Sequence, residues 1–170
     1  MAWDDEKQVG DELTAPEWNS MVDDQKPKLG AYFDAYASSS QAFGDGNTIT
    51  VNTDTIEFNT DFSLSSGEIT FNTDGIYLII ARVSSDWNDT TNRATSEAWI
   101  EIDGVEVAGS KGLMYNRTDP ESDNSTTIQL LQNISSGETL RVRASGRNMV
   151  DYNRVKTVPD GCRTTIIRIA

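Results

Sequence analysis

The stretch Gly75-Ile76-Tyr77-Leu78-Ile79-Ile80-Ala81 is apolar at odd and even positions alike. In an extended chain, successive side chains point to opposite faces, so a strand of this composition is covered on both sides. Its neighbours in sequence behave differently. Ile100 and Ile102 alternate with Trp99 and Glu101, and Leu140 and Val142 alternate with Arg141 and Arg143, as in half-exposed sheets. A strand that is oily front and back within such a sheet needs one cover from the core and a second from a loop or another subunit. Tyr77 and Ile79 are assigned to that second side.

The rest of the chain reads as short strands from Ala31 onward, separated by Gly, Asn, Asp and Ser turns. Ten apolar runs qualify, at 32–33, 49–51, 56–58, 69–71, 76–83, 98–102, 105–107, 128–131, 140–144 and 164–169. Asp103-Gly104 between two of them is a hairpin signal, because both residues tolerate positive φ. With no helices in alternation, the expected class is all-β, an antiparallel jelly-roll sandwich of about ten strands over residues 31–170. Polar loops are expected at 38–48, 84–96, 115–127 and 146–163.

Residues 1–30 are different, and are read as an arm with one short helix. Thr14-Ala15-Pro16-Glu17 is a capping box, with Leu13 and Trp18 placed as a hydrophobic staple. Trp18, Met21 and Val22 then recur at helical spacing, until Pro27 stops the run. Such a helix is marginal alone in water and needs a surface to lie on.

The formal net charge of −13 opposes contact with nucleic-acid phosphates and insertion into an anionic membrane. Self-repulsion of this size is screened at high salt, which points to a halophilic setting. Residues 141–170 hold 7 basic and 2 acidic side chains against 7 and 25 before them. Those arginines are read as partners for acidic neighbours on adjacent strands. No apolar run reaches membrane-spanning length, and the acidic start Met1-Ala2-Trp3-Asp4-Asp5-Glu6 lacks the pattern of a secretory signal. Release as part of a particle is the expected route to the outside.

Two resemblances add to this. Ser66-Gly67-Glu68-Ile69-Thr70-Phe71 followed by Gly75-Ile76-Tyr77-Leu78-Ile79 resembles the central motif of the complement-q and tumour-necrosis-factor-like jelly-roll superfamily. Ala31-Tyr32-Phe33-Asp34-Ala35, the Asp103-Gly104 hairpin, Ser136-Gly137-Glu138 and the closing run 165–169 resemble its other landmarks, in the same order. That resemblance implies a homotrimer with the first and last strands near the three-fold axis, and hence Tyr32, Phe33, Tyr77, Ile79, Ile167 and Ile169 at the subunit contact. The collagen-like stalk of the animal members is absent from this sequence. The second resemblance lies in the arm. Asp11-Glu12-Leu13-Thr14-Ala15-Pro16-Glu17-Trp18-Asn19 resembles a short segment near the start of tailed-phage fibre and spike proteins. It implies that Trp3, Leu13, Trp18, Met21 and Val22 dock the arm on a capsid or tail protein.

Residue chemistry points away from catalysis. The chain has no histidine, the usual general base and transition-metal ligand. Cys162 therefore has no imidazole to activate it, and is read as a small buried residue. Gly44-Asp45-Gly46 lacks the Lys-Ser/Thr of a phosphate loop. Paired carboxylates are numerous enough by chance that a glycosidase is kept as a minor reading. Asp119, Glu121 and Asp123 offer hard oxygen ligands suited to Ca²⁺ or Mg²⁺, against the competing reading of a solvated loop. Asn88, Asn116, Asn124 and Asn133 each begin an Asn-x-Ser/Thr acceptor triplet. Trp87 and Tyr115, expected on long loops, are candidates to stack on a host surface glycan. The expectation is a non-enzymatic structural protein of the virion surface: a trimeric turret, spike, decoration or fibre head of a tailed virus with a halophilic host. The alternative is a cell-encoded adhesin or carbohydrate-binding module built on the same head.

Overall fold

Fourteen strands form two antiparallel sheets in the computed structural model, which describes residues 16, 19, 30–43, 47–87, 93–117, 123–147 and 155–170. In chain order they are β1 (Tyr32–Tyr36), β2 (Ala42–Phe43), β3 (Ile49–Thr50), β4 (Thr55–Asn59), β5 (Phe62–Ser65), β6 (Glu68–Phe71) and β7 (Gly75–Trp87). The second half contributes β8 (Ala94–Ile102), β9 (Val105–Glu106), β10 (Gly112–Asn116), β11 (Asn124–Ile134), β12 (Thr139–Arg147), β13 (Val155–Thr157) and β14 (Arg163–Arg168). Each of the ten apolar runs falls on a strand, and the class is the jelly-roll sandwich expected.

The first sheet runs β4-β1-β14-β7-β11, with β13 and β2 continuing beside the far end of β7. The second runs β5-β6-β12-β8-β10, with β3 on β12 and β9 on β8. Apolar side chains from both inner faces fill the space between them. Phe33, Phe62, Phe71 and Tyr77 form an edge-to-face aromatic group with ring centroids 4.8–5.6 Å apart for successive pairs. Tyr77 keeps its hydroxyl satisfied by donating to the Thr73 carbonyl at 2.6 Å.

Turn chemistry sets the hairpin registers. Ser66 and Gly67 between β5 and β6, and Asp103 and Gly104 between β8 and β9, all have positive φ. That is the backbone twist which two-residue hairpins require. At Gly67 a side chain is excluded as well, since a Cβ there would lie 2.9 Å from the Val51 carbonyl oxygen.

Several boundaries differ from expectation. β7 runs on to Trp87 and β8 begins at Ala94, so most of the expected loop 84–96 is strand. β10 and the start of β11 likewise occupy both ends of 115–127. β2 and β13, two and three residues long, lie inside the other two expected loops. In the arm, Pro16 and Asn19 are helical, while Trp3, Leu13, Trp18, Met21 and Val22 lie outside the described residues.

The two ends of the sandwich differ. Gly30, Ala170 and the turns after β6, β8 and β11 lie at one end, tied by Thr60 Oγ1 donating to the Gly30 carbonyl and Ile76 N donating to that of Ala170. The connections β7–β8, β10–β11 and β12–β13 all leave from the other end, where Ser85 pairs with Asn124, Thr95 with Arg147 and Trp87 with Val155.

Candidate assembly face

The strand that opened the sequence argument has one buried side and one open side. Tyr77, Ile79, Ala81 and Val83 are fully buried between the sheets. Ile76, Leu78, Ile80 and Arg82 point away from the core, and Ile76 is 41% exposed. The assignment of Tyr77 and Ile79 to a subunit contact is therefore corrected: their own chain covers them completely, as it does Phe33. The core side of β7 is that of Tyr77 and Ile79, and the side left open is that of Ile76, Leu78 and Ile80.

The outer face of the first sheet is apolar along a continuous row. Tyr32 pairs with Ile167, Ile167 with Leu78, and Leu78 with Leu131, across four strands. Phe58 adds its ring edge-on to Tyr32 at 5.8 Å and is 62% exposed. Ile76 and Ile80 flank the row on β7, and Ile169 follows β14 with about half its surface exposed. Leu131 is 61% exposed.

One ion pair sits within this face. Asp34 is 3% exposed because Arg163 and Thr165 close over it. Arg163 Nε donates to Oδ1 at 2.9 Å, Nη2 donates to the other carboxylate oxygen, and Thr165 Oγ1 donates to Oδ1 at 2.8 Å. Burial alone would raise the Asp34 carboxyl, but these hydrogen bonds and the Arg163 charge outweigh it and hold the group below its usual value.

The side wall next to this face is uncharged. β10 (Gly-Leu-Met-Tyr-Asn) and β11 (Asn-Ser-Thr-Thr-Ile-Gln-Leu-Leu-Gln-Asn-Ile) are outermost in their sheets, and neither has a charged residue. They approach so closely that a Cβ on Gly112 would fall 2.2 Å from Thr126 Oγ1. Leu113 and Tyr115 stand outward on β10. Free sheet edges are normally protected by charge.

The second sheet presents the opposite chemistry. Its outer side is a ladder of ion pairs: Arg141–Glu68 at 2.6 Å, Arg143–Glu101 at 3.4 Å and Arg147–Glu97 at 3.4 Å. Lys111 reaches Glu97 and Glu106 at 3.5 Å each and lies 5.0 Å from the centre of the Trp99 ring. Among the described residues, Arg141, Arg143, Arg147, Lys156 and Arg163 of the basic C-terminal segment thus meet acidic neighbours of their own domain, as the sequence suggested.

The remaining candidate residues fall as follows. Tyr32 and Ile167 are half-buried on the apolar face, beside the exposed Ile169. Tyr115 stands on β10 instead of a loop, with its hydroxyl accepting from Arg93 at 3.0 Å. Trp87 ends β7. Asp123 is exposed just before β11, whereas Asp119 and Glu121 lie outside the described residues. Cys162 is fully buried, which pushes its thiol up in pKa.

Among the acceptor triplets, Asn88 lies outside the described residues, Asn124 is half-buried and Asn133 is exposed on β11. Asn116 is corrected: it is fully buried, with Nδ2 donating to the Ser85 carbonyl at 3.0 Å and Oδ1 within 3.3 Å of the Ser85 and Ser96 hydroxyls. No glycan can be accommodated on that amide in the folded chain.

No protein-family model matches the chain, and no curated protein does. Solved structures do. The globular domain of a zebrafish complement 1qA protein superposes with a TM-score of 0.55 at 10% identity, covering 83% of this chain and 98% of that one. The Eiger TNF of S. frugiperda gives 0.56 at 12% identity, covering 84% and 94%. Murine APRIL gives 0.54 at 13% identity, covering 81% and 98%. The fold is therefore that of the complement-q and tumour-necrosis-factor jelly rolls.

Proposed function

We propose that the chain is a non-catalytic homotrimeric head, carried on the surface of a tailed virus of a halophilic host and attached through its N-terminal arm. The observation behind the trimer is the contrast between the two outer faces. A −13 chain that keeps its second sheet wet with ion pairs leaves its first sheet oily along four strands. Contiguous exposed apolar surface of this kind marks a contact with another protein.

A closed ring joins two different patches of each copy. The apolar face and the charge-free β10–β11 wall meet along β11, so the wall of one copy can lie on the face of the next until a third closes the cycle. The complement-q and tumour-necrosis-factor-like resemblance supports the number three. The arm leaves beside Gly30, at the end opposite the three long connections. Attachment and recognition thereby have separate ends, and the resemblance of residues 11–19 to tailed-phage fibre segments supports a capsid or tail protein as anchor.

Light scattering at high salt should give three times the chain mass, and mass spectrometry of purified particles should find the protein among their components. A single-chain mass would remove the trimer. A trimer absent from particles would leave a cell-borne adhesin instead.

A further inference from the structure

We infer that Arg82 is met, across the three-fold contact, by the Asp123 carboxylate of the next copy. The inference rests on the trimeric reading above and adds a charge key to it. Arg82 lies on the outer side of β7, two residues beyond Ile80 in the apolar column, and is exposed. Its cross-strand neighbour Arg163 is already occupied by Asp34.

Among the described residues, most other lysines and arginines meet a polar side chain: Arg93 the Tyr115 hydroxyl, Lys156 the Asp86 carboxylate, and Lys111, Arg141, Arg143 and Arg147 the glutamates of the second sheet. In a chain with 27 acidic and 14 basic side chains, a cation left alone is not short of acids to meet. Covering this guanidinium with a sister chain while leaving it unmatched would be costly, because it would lose water and gain nothing.

The two strands of the wall that covers it carry no charge of their own, and at its upper end, where Arg93 and Arg117 are the cations, the acid among the described residues is Asp123, immediately before β11. Asp123 and Arg82 of one chain line the same open groove with Ser84 and Ser125 between them, yet form no ion pair there. Rotation about the three-fold keeps heights along the axis. The next copy's Asp123 therefore arrives at the same level as the chain's own, from the opposite side of Arg82. Face and wall share the β7–β11 corner, which places the axis beside it, and three arginines alternate with three aspartates around the axis.

The test is a dilution series by light scattering at moderate salt on the full chain, for the wild type, Arg82→Glu, Asp123→Arg and the double exchange. Both positions are exposed, and circular dichroism verifies that each variant keeps the β fold. Each single exchange should raise the concentration at which trimers dissociate by about tenfold or more, and the double exchange should restore it to about the wild-type value. The milder Arg82→Gln and Asp123→Asn should shift it the same way by less. Single variants that assemble like the wild type, or a double variant no better than the singles, would overturn the pair while leaving the trimer standing. A wild type that never assembles overturns the trimeric reading itself.

Discussion

Tyr77 and Leu78 are adjacent in the chain and opposite in fate, and the difference is measurable. Replacing Ile79, on the Tyr77 side, by Ala opens a cavity between the sheets and should lower unfolding free energy by about 2–5 kcal/mol in urea denaturation. Leu78→Ala should change the separated chain far less and weaken assembly in a dilution series. Equal losses of folding stability from both would contradict the two-sided reading of β7. Asp34 sets an acid limit. Its folded value lies below the usual 3.8, so its contribution is complete above that pH and is lost as pH falls through the lower, folded value. Asp34→Asn should therefore flatten the stability profile below about pH 4. Buried Asn116 was legible only as an acceptor triplet, because nothing local separates an amide that meets Ser85 and Ser96 inside a sandwich from one that meets water. Asn116→Ala should cost about 1–3 kcal/mol, since it leaves those hydroxyls short of partners.

At the level of strands, legibility followed period and turn residues. Asp103-Gly104 and the alternations around Ile100 and Val142 could be read because each is a local pattern. β2 and β13 could not, being too short to show a period and existing only by pairing with each other and with β7. The sides of β7 were exchanged because the two-sided apolar stretch was followed only to Ala81. Followed on to Trp87, the even positions add Arg82 and Asp86, and those charges mark the even side as outer. The missing charge on β10 and β11 was also present in the sequence, but it acquires meaning only once those strands are known to be edges. Leu131→Lys tests that wall: it should abolish the trimer in light scattering while circular dichroism stays that of the folded head. A Leu131→Lys trimer as tight as the wild type would place the contact elsewhere.

Over the whole molecule, the −13 charge is a standing cost that salt relieves. Raising salt from about 0.1 M to about 1 M shortens the screening length from about 10 Å to about 3 Å, so the melting temperature should climb across that range. A melting temperature that falls would argue against a halophilic setting. Removal of residues 1–28 should leave a folded trimer that no longer joins particles, as read by co-sedimentation. Loss of the trimer itself would mean that the arm takes part in assembly. The position of β1 has a mechanical consequence as well. It is the first strand after the arm, and it is hydrogen-bonded on one side to β14 and on the other to β4. A tug between a fixed arm and an object gripped at the far end would pull β1 lengthwise, loading both of its ladders together in shear. Bonds strained side by side resist far better than a strand peeled off link by link, so a head hung this way would hold fast under drag.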